Sequence, residues 1–312
     1  VNFLHLKHLK KFFAGQQKTF LNVSGEENLL RAVIRCFASL FEPRAIYYRA
    51  LHRYDHLKIG LAVPIQRMVQ ADKSGILFTL EPVSNDKNKI VIEAGWGLGE
   101  AVVSGSLTPD RYLVDKKSLK ILNKEIEEQT WMIAKVGQVD KHVTVGKSKQ
   151  KAQKCTDEEI QEIAKIGRQA EGHYQFPQDM EWAIEKGELY FVQSRPVTGL
   201  KKPGARKIEE AGEFKEMAKA EVILRGIAAS VGIISGPVKI VLDPTKLEVV
   251  EKGDVLVAEM TNPSYVPAMK RAVAVVTDTG GVTSHAAIVS RELGIPCVVA
   301  TGQATSSLKN GQ

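Results

Sequence analysis

Cysteine is scarce in this chain. Cys36, Cys155 and Cys297 are three, an odd number at wide spacing. That argues against a disulfide framework and for a reducing, cytoplasmic setting. No Cys/His cluster has the spacing of a zinc site. No apolar run approaches the length of a bilayer span, so no membrane partner is expected. Aromatic residues, 6% of the chain, do not interleave with basic ones, which argues against nucleic acid. The first residues, Val1 to Phe13, lack the apolar core and small-residue cleavage site of a signal peptide. There is no initiating Met either, and the chain is expected to begin inside a longer gene product.

What is present suits a globular protein of two domains: 312 residues, 44% apolar and 25% charged. The net charge of +7 fits a polyphosphate ligand without identifying one. Basic residues are scattered among acids. The run Lys147-Ser148-Lys149-Gln150-Lys151 reads as a solvated surface turn.

Residues 24–57 carry a helical pattern. Ser24-Gly25-Glu26-Glu27 offers a cap and first turn, and Leu29, Leu30, Val33, Ile34, Ala38 and Leu40 follow at helical spacing. A second helix is expected from Pro43 to about His52, with Arg49 facing either a phosphate or the surface. From Gly60 the pattern becomes strand-like. Ala62–Val69, Ser74–Thr79 and Lys89–Ala94 read as neighbouring strands of an antiparallel sheet. Gly95-Trp96-Gly97-Leu98-Gly99-Glu100 follows, with G-x-G-x-G spacing rather than the dinucleotide-binding pattern. Residues 125–155 look like strands and turns. Thr156-Asp157-Glu158-Glu159 caps a helix to about His173 whose apolar face is Ile160, Ile163, Ala164 and Ile166.

Gln178 to Pro196 reads as a hairpin. If its loop is the three residues Lys186-Gly187-Glu188, Glu181 lies opposite Gln193 and Asp179 opposite Arg195. All four then share one face, with Met180, Trp182, Ile184, Tyr190 and Val192 on the other. Carboxylates hold Mg²⁺ through hard oxygens, and an arginine fork neutralises phosphate. An acid–arginine pair across a hairpin is also common as a merely solvated contact.

Residues 199–220 have the composition of an exposed linker. Beyond them, Gly226–Val241, Asp254–Ala258 and Arg271–Val276 read as strands, with a short helix after Thr261-Asn262-Pro263. Then comes Thr277 to Pro296. Gly280 and Gly281 permit a sharp turn. Thr283 or Ser284 caps a helix, and Gly294 with Pro296 ends it. His285 therefore sits in the first turn of a helix, where bare N–H groups favour a neutral imidazole and an adjacent anion. A histidine that attacks phosphorus and then holds the phosphoryl group needs both conditions.

The run Gly280-Gly281-x-Thr283-Ser284-His285-Ala286-Ala287-Ile288-Val289-x-Arg291-Glu292-Leu293-Gly294-x-Pro296 resembles the phosphohistidine signature of the phosphoenolpyruvate-utilising family. Asp179-x-Glu181 with Gln193-x-Arg195-Pro196 resembles its metal-and-phosphate hairpin. Gly97-Leu98-Gly99-Glu100-x-Val102-Val103-x-Gly105-x-x-x-Pro109-Asp110 resembles its synthase branch, although synthases usually carry Cys where this chain has Ser284. The resemblance implies an α+β / α/β chain: a partial ATP-grasp nucleotide domain at 1–198, the linker at 199–220, and a swivelling β/β/α phosphohistidine domain at 221–312.

By the same resemblance His285 is the phosphorylated residue, supported by Gly280, Gly281, Thr283 and Ser284. Arg195 is catalytic and contacts ATP with Gln193. Glu181, Gln193 and Asp179 hold Mg²⁺, and Gln66, Met68 and Val69 lie beside the adenine. ATP, pyruvate and water would give AMP, phosphoenolpyruvate and phosphate. A phosphate-consuming dikinase, and a non-catalytic phosphocarrier, are the alternatives. A homo-oligomer is compatible with all three. The family's first nucleotide lobe would precede Val1 and its pyruvate-binding barrel would follow Gln312. The 312-residue piece is therefore expected to make no phosphoenolpyruvate alone.

Overall fold

A computed structural model describes residues 17–51, 53–137, 139–197 and 222–312. The linker expected at 199–220 lies outside the described residues. The chain divides into two units, Val1–Met68 with Lys135–Asp140, and Val69–Ala134 with Lys141–Gln312.

In the first unit, helices α1 (Glu26–Ala38) and α2 (Pro43–Leu51) flank a 3-10 turn, Ser39–Phe41. The cap of α1 is Gly25 at φ 85°, not Ser24, and no side chain caps the helix. Glycine takes that left-handed backbone without a Cβ penalty. The apolar stripe of α1 is not core here: none of its residues is buried, and Leu30 and Ile34 are 58% and 65% exposed. Arg49 is buried, and its Nε donates to His56 Nδ1 at 3.0 Å. The strand expected at Ala62–Val69 does not form; residues 60–71 are irregular. Pro64 removes one ladder donor from that stretch.

The second unit holds two sheets. The larger is built from β1 (Lys73–Phe78), β2 (Lys89–Trp96), β3 (Asp110–Asp115), β4 (Ile121–Glu125), β7 (Gln178–Glu185) and β8 (Glu188–Pro196). Its order is β4-β3-β2-β1-β7-β8, antiparallel throughout. Between β2 and β3 lies the short helix α3 (Glu100–Val103); β5 (Trp131–Val136) and β6 (Val139–Thr144) make a separate hairpin, followed by the one-turn α4 (Lys147–Gln150). The long helix α5 (Asp157–Tyr174) starts as its sequence dictates: Thr156 and Glu159 form a reciprocal capping box. Its Ile160, Ile163 and Ala164 pack on Leu77, Ile92, Tyr112, Met180 and Trp182 of one sheet face. At the edge of that core, Lys154 and Asp110 form an ion pair of 2.7 Å with both side chains 0% exposed. Tyr112 Oη donates to the same carboxylate at 2.7 Å, and the backbone N–H of Glu127 and Lys154 each donate at 2.9 Å.

The opposite face carries a smaller apolar cluster, Ile76, Phe78, Leu80, Ala101, Val102 and Leu107. It also carries charge. Glu93 and Glu181 both pair with Ile76, from either side, and Asp179 pairs with Phe78. Paired residues share a face, so these acids project together.

The smaller sheet joins β9 (Ile227–Ser230), β10 (Val238–Ile240), β11 (Val255–Ala258), β12 (Ala274–Thr277) and β13 (Cys297–Val299) in the order β10-β11-β12-β13-β9. Its first three pairings are parallel and β13–β9 is antiparallel. Helices α6 (Val266–Met269), α7 (His285–Leu293) and α8 (Ala304–Ser307) accompany it. Leu256, Met269, Val275, Ala286, Ala287 and Val299 fill the core between α7 and the sheet. The protein is thus mixed α+β, with one large antiparallel sheet.

Candidate functional site

The hairpin β7–β8 brings its four polar residues together by a route the sequence does not announce. Its turn has two residues, not three: Glu185 pairs with Glu188, and Lys186 (φ 53°) and Gly187 (φ 83°) are both left-handed. That is the two-residue turn whose twist suits a hairpin. A bulge between Glu181 and Trp182 then shifts the register by one residue. Beyond it, Glu181 pairs with Gln193 and Asp179 with Arg195, as expected. On the turn side the parity is reversed: Trp182 pairs with Phe191 and Ile184 with Leu189. Leu189 and Phe191, rather than Tyr190 and Val192, pack on the apolar core.

Arg195 donates to Asp179 Oδ2 through Nε at 2.8 Å and Nη2 at 2.5 Å. Asp179 is therefore already neutralised. Gln193 Nε2 donates to Glu181 Oε1 at 3.0 Å. Burial raises the Glu181 carboxyl above its ordinary range, the nearby Asp179 charge adds to this, and Arg195 opposes it. Glu181 has no ion-pair partner among the described residues. A half-buried carboxylate without an ion-pair partner among the described residues, beside an amide oxygen, is a donor set that fits Mg²⁺, which takes one or two protein oxygens and completes its shell with phosphates and water. Among the described residues no group of three or more His, Cys, Asp and Glu side chains could hold a metal unaided.

His285 is the first residue of α7. Ser284 is its N-cap with extended backbone; the Ser284 hydroxyl accepts from Ala287 N–H at 3.5 Å, a weak cap. Gly294 closes the helix in the left-handed conformation. The turn before it needs Gly280 at φ 105°. The ring is half-buried, and burial lowers its pKa from 6.5 to about 4. The imidazole is therefore neutral at pH 7, as the helix N-terminus also requires. Its Nδ1 lies 2.8 Å from the hydroxyl of buried Thr261. With Nδ1 so engaged, Nε2 is the nitrogen with no hydrogen-bond partner among the described residues. Thr261 was not singled out from the sequence, where a threonine before Asn262-Pro263 carries no distinguishing pattern.

The charged sheet face and the His285 turn meet. Glu93 is 1% exposed. Its Oε1 accepts the Val282 backbone N–H at 2.8 Å and its Oε2 accepts the Thr283 hydroxyl. Gly105 packs on the same turn: its carbonyl accepts from Thr279 Oγ1 at 3.0 Å, and a Cβ there would stand 3.0 Å from Ser284 Cβ. At the other end of α7, Glu292 and Arg291 lie within electrostatic range of Arg195 and Asp179, respectively. Glu93 was missed as a functional residue, though an acid inside the apolar run Ile90-Val91-Ile92-Glu93-Ala94 was the available signal.

The remaining candidates are less assembled. Gln66 is exposed and lies with Met68 in the first unit; Val69, half-buried, opens the second. None of the three is in a strand. Gly97, at φ 84°, shapes the backbone at the end of β2, where a Cβ would meet the Ile133 carbonyl at 2.5 Å.

Residues 8–216 match the family model described as pyruvate phosphate dikinase, AMP/ATP-binding domain. Residues 250–312 match the PEP-utilising enzyme, mobile domain. Phosphoenolpyruvate synthase of Pyrococcus furiosus is 49% identical over 308 residues, covering 96% of this chain and 37% of that protein. The probable phosphoenolpyruvate synthase of Archaeoglobus fulgidus is 48% identical over 299 residues, covering 96% of this chain and 39% of its own length. Phosphoenolpyruvate synthase of Aquifex aeolicus is 43% identical over 319 residues, covering 96% and 37%. The chain thus spans under two fifths of the length of each of these three relatives. A solved structure of Enzyme I is 41% identical over a part covering 21% of this chain and 27% of that one, with a TM-score of 0.19.

Proposed function

Because the chain belongs to the family of the pyruvate phosphate dikinase AMP/ATP-binding domain, we propose that it carries out the ATP-dependent half of phosphoenolpyruvate synthesis, with His285 as the phosphoryl carrier. The observation that carries this reading is the state of the imidazole: neutral, at a helix N-terminus, with Nδ1 held by Thr261. When Nδ1–H donates to the threonine oxygen, the lone pair sits on Nε2. Nε2 then attacks the β-phosphorus of ATP; the bond from that phosphorus to the α-bridging oxygen breaks, and AMP leaves with the electron pair. Loss of the γ-phosphate to water leaves a single phosphoryl group on the ring. Covalent transfer through the histidine divides one uphill reaction into easier steps.

Arg195 stabilises charge on the transferring group. Glu181 and Gln193 would hold Mg²⁺, which neutralises phosphate charge when bound. Asp179 orients Arg195 through its two hydrogen bonds. Gln66, Met68 and Val69 supply the adenine side. Residues 1–198 form part of an ATP-grasp domain, residues 221–312 a swivelling phosphohistidine domain, and 199–220 the connection. The second half of the reaction delivers the phosphoryl group to pyruvate, with water as the other acceptor.

The test is incubation of the full-length protein with β-labelled ATP and Mg²⁺. Acid-labile label is expected on the protein, lost in His285→Ala and kept in Ser284→Ala. Absence of label in the unsubstituted protein would overturn the ATP reading in favour of a carrier phosphorylated by another protein. Release of phosphate, rather than its consumption with release of pyrophosphate, marks water as the acceptor.

A further inference from the structure

The contact between Glu93 and the turn before His285 has no part in the chemistry just derived. Glu93 belongs to the middle of β2, yet both of its carboxylate oxygens are engaged by residues some 190 positions later, Val282 through its N–H and Thr283 through its hydroxyl. A buried carboxylate is costly unless it is hydrogen-bonded, and here those two donors come from the other sheet's loop. The loop is shaped to admit it. A Cβ on Gly281 would stand 2.5 Å from Glu93 Oε1 and 2.8 Å from Cδ, closer than real atoms approach. Gly281 is not in the left-handed region, so its lack of a side chain answers to Glu93 rather than to backbone strain. A second contact lies alongside. Gly105, at φ 74°, fits against Ser284 and accepts from Thr279.

We propose that Glu93 is a positioning residue: with Gly281 as its counterpart, it docks the His285 turn on the nucleotide-binding sheet and fixes the pose in which the imidazole receives the phosphoryl group. The second glycine of the signature is then small for the sake of a carboxylate on another sheet, not for the phosphate. On its own sheet Glu93 stands opposite Arg111, whose Nη atoms are committed to Glu125 and Glu81, so the Val282 and Thr283 donors are the ones that hydrogen-bond the carboxylate in the docked pose. Arg111 and Arg291 both bring positive charge toward Glu93, while burial works against its ionisation. The role in phosphoryl transfer rests on the function proposed above; the docking contact itself does not.

Amide hydrogen exchange on the 312-residue chain reads the contact without any turnover. In the unsubstituted protein the Val282 amide is expected to be protected. Glu93→Ala should speed its exchange roughly 10- to 100-fold, the range for a hydrogen bond to a charged group, while Val275 and Leu256 in the sheet beneath stay protected. Gly281→Ala should produce the same loss, and in the Glu93→Ala background it should add almost nothing, because both act through one contact. Unchanged Val282 exchange in Glu93→Ala, or fully additive effects of the two substitutions, would overturn the docking contact. Labelling by β-labelled ATP is the separate arm. If the unsubstituted protein labels, Glu93→Ala should label at least tenfold more slowly with the ATP concentration for half-maximal rate unchanged. Equal rates would overturn the positioning role while leaving the phosphohistidine intact.

Discussion

Thr261 Oγ1 and His285 Nδ1 stand 2.8 Å apart, and that hydrogen bond engages one imidazole nitrogen and leaves Nε2 without a partner among the described residues. Thr261→Val removes the partner while keeping the shape. Labelling of His285 by ATP is expected to fall roughly 3- to 10-fold, the cost of losing one orienting hydrogen bond between neutral groups of about 0.5–1.5 kcal/mol. Thr261→Ser should retain most of the rate. Nitrogen-15 NMR of the imidazole supplies the independent reading: the proton is expected on Nδ1 in the parent, and a mixed tautomer in Thr261→Val.

The depressed basicity of His285 sets a pH window. Burial moves its pKa from 6.5 to about 4. Between those values the unfolded chain binds more protons than the folded one, so stability rises with pH across the window and is lost as pH falls through it. The nucleophile follows the same titration: labelling should hold steady from pH 7 down to about 5 and fall off nearer 4. An inflection at 6.5 in the single-turnover rate would contradict the half-buried, neutral ring.

Glu181 and Arg195 should separate in their effects. Glu181→Gln removes a carboxyl that burial already disfavours as an anion, so the fold should hold or gain slightly at pH 7, while the Mg²⁺ concentration needed for labelling rises at least tenfold. Arg195→Ala leaves the Asp179 carboxylate nearly buried and unpaired, and is expected to cost about 1–3 kcal/mol in denaturant unfolding as well as the labelling activity. Arg195→Lys should recover stability better than activity, since an ammonium cannot reproduce the two-pronged contact.

Lys154 and Asp110 form a fully buried ion pair beside the larger sheet. Lys154→Met strands a fully buried carboxylate and should cost about 3–5 kcal/mol, measured by urea unfolding. Pairing it with Asp110→Asn should recover part of that loss, because the unpaired charge is then gone.

Much of this architecture was legible in the sequence. The Thr156 capping box and the spacing of Ile160, Ile163 and Ala164 specify α5 almost by themselves, because a cap and a periodic face are local features. The His285 helix was equally plain, bounded by Ser284 and Gly294. The hairpin was half-legible: the pairing of Glu181 with Gln193 and Asp179 with Arg195 follows from alternation, but the turn length and the compensating bulge do not, since a two-residue turn with a bulge and a three-residue turn give the same distal register. Ala62–Val69 misled because apolar alternation looks alike in a paired strand and in an extended connection. Glu93 and Thr261 act through contacts spanning 190 and 24 residues of chain, and no local pattern encodes such distances.

The surplus residue in β8 has a further meaning. One side of that ribbon is oily and the other ionic, and with the parity switch at Val192 a tight two-residue corner coexists with Arg195 on the ionic side, beside Asp179. Excising Val192 would close the ladder into a regular two-residue hairpin and leave Gln193 opposite Glu181 and Arg195 opposite Asp179. Loss of that one residue is therefore a length change the ribbon should accommodate without moving its polar set.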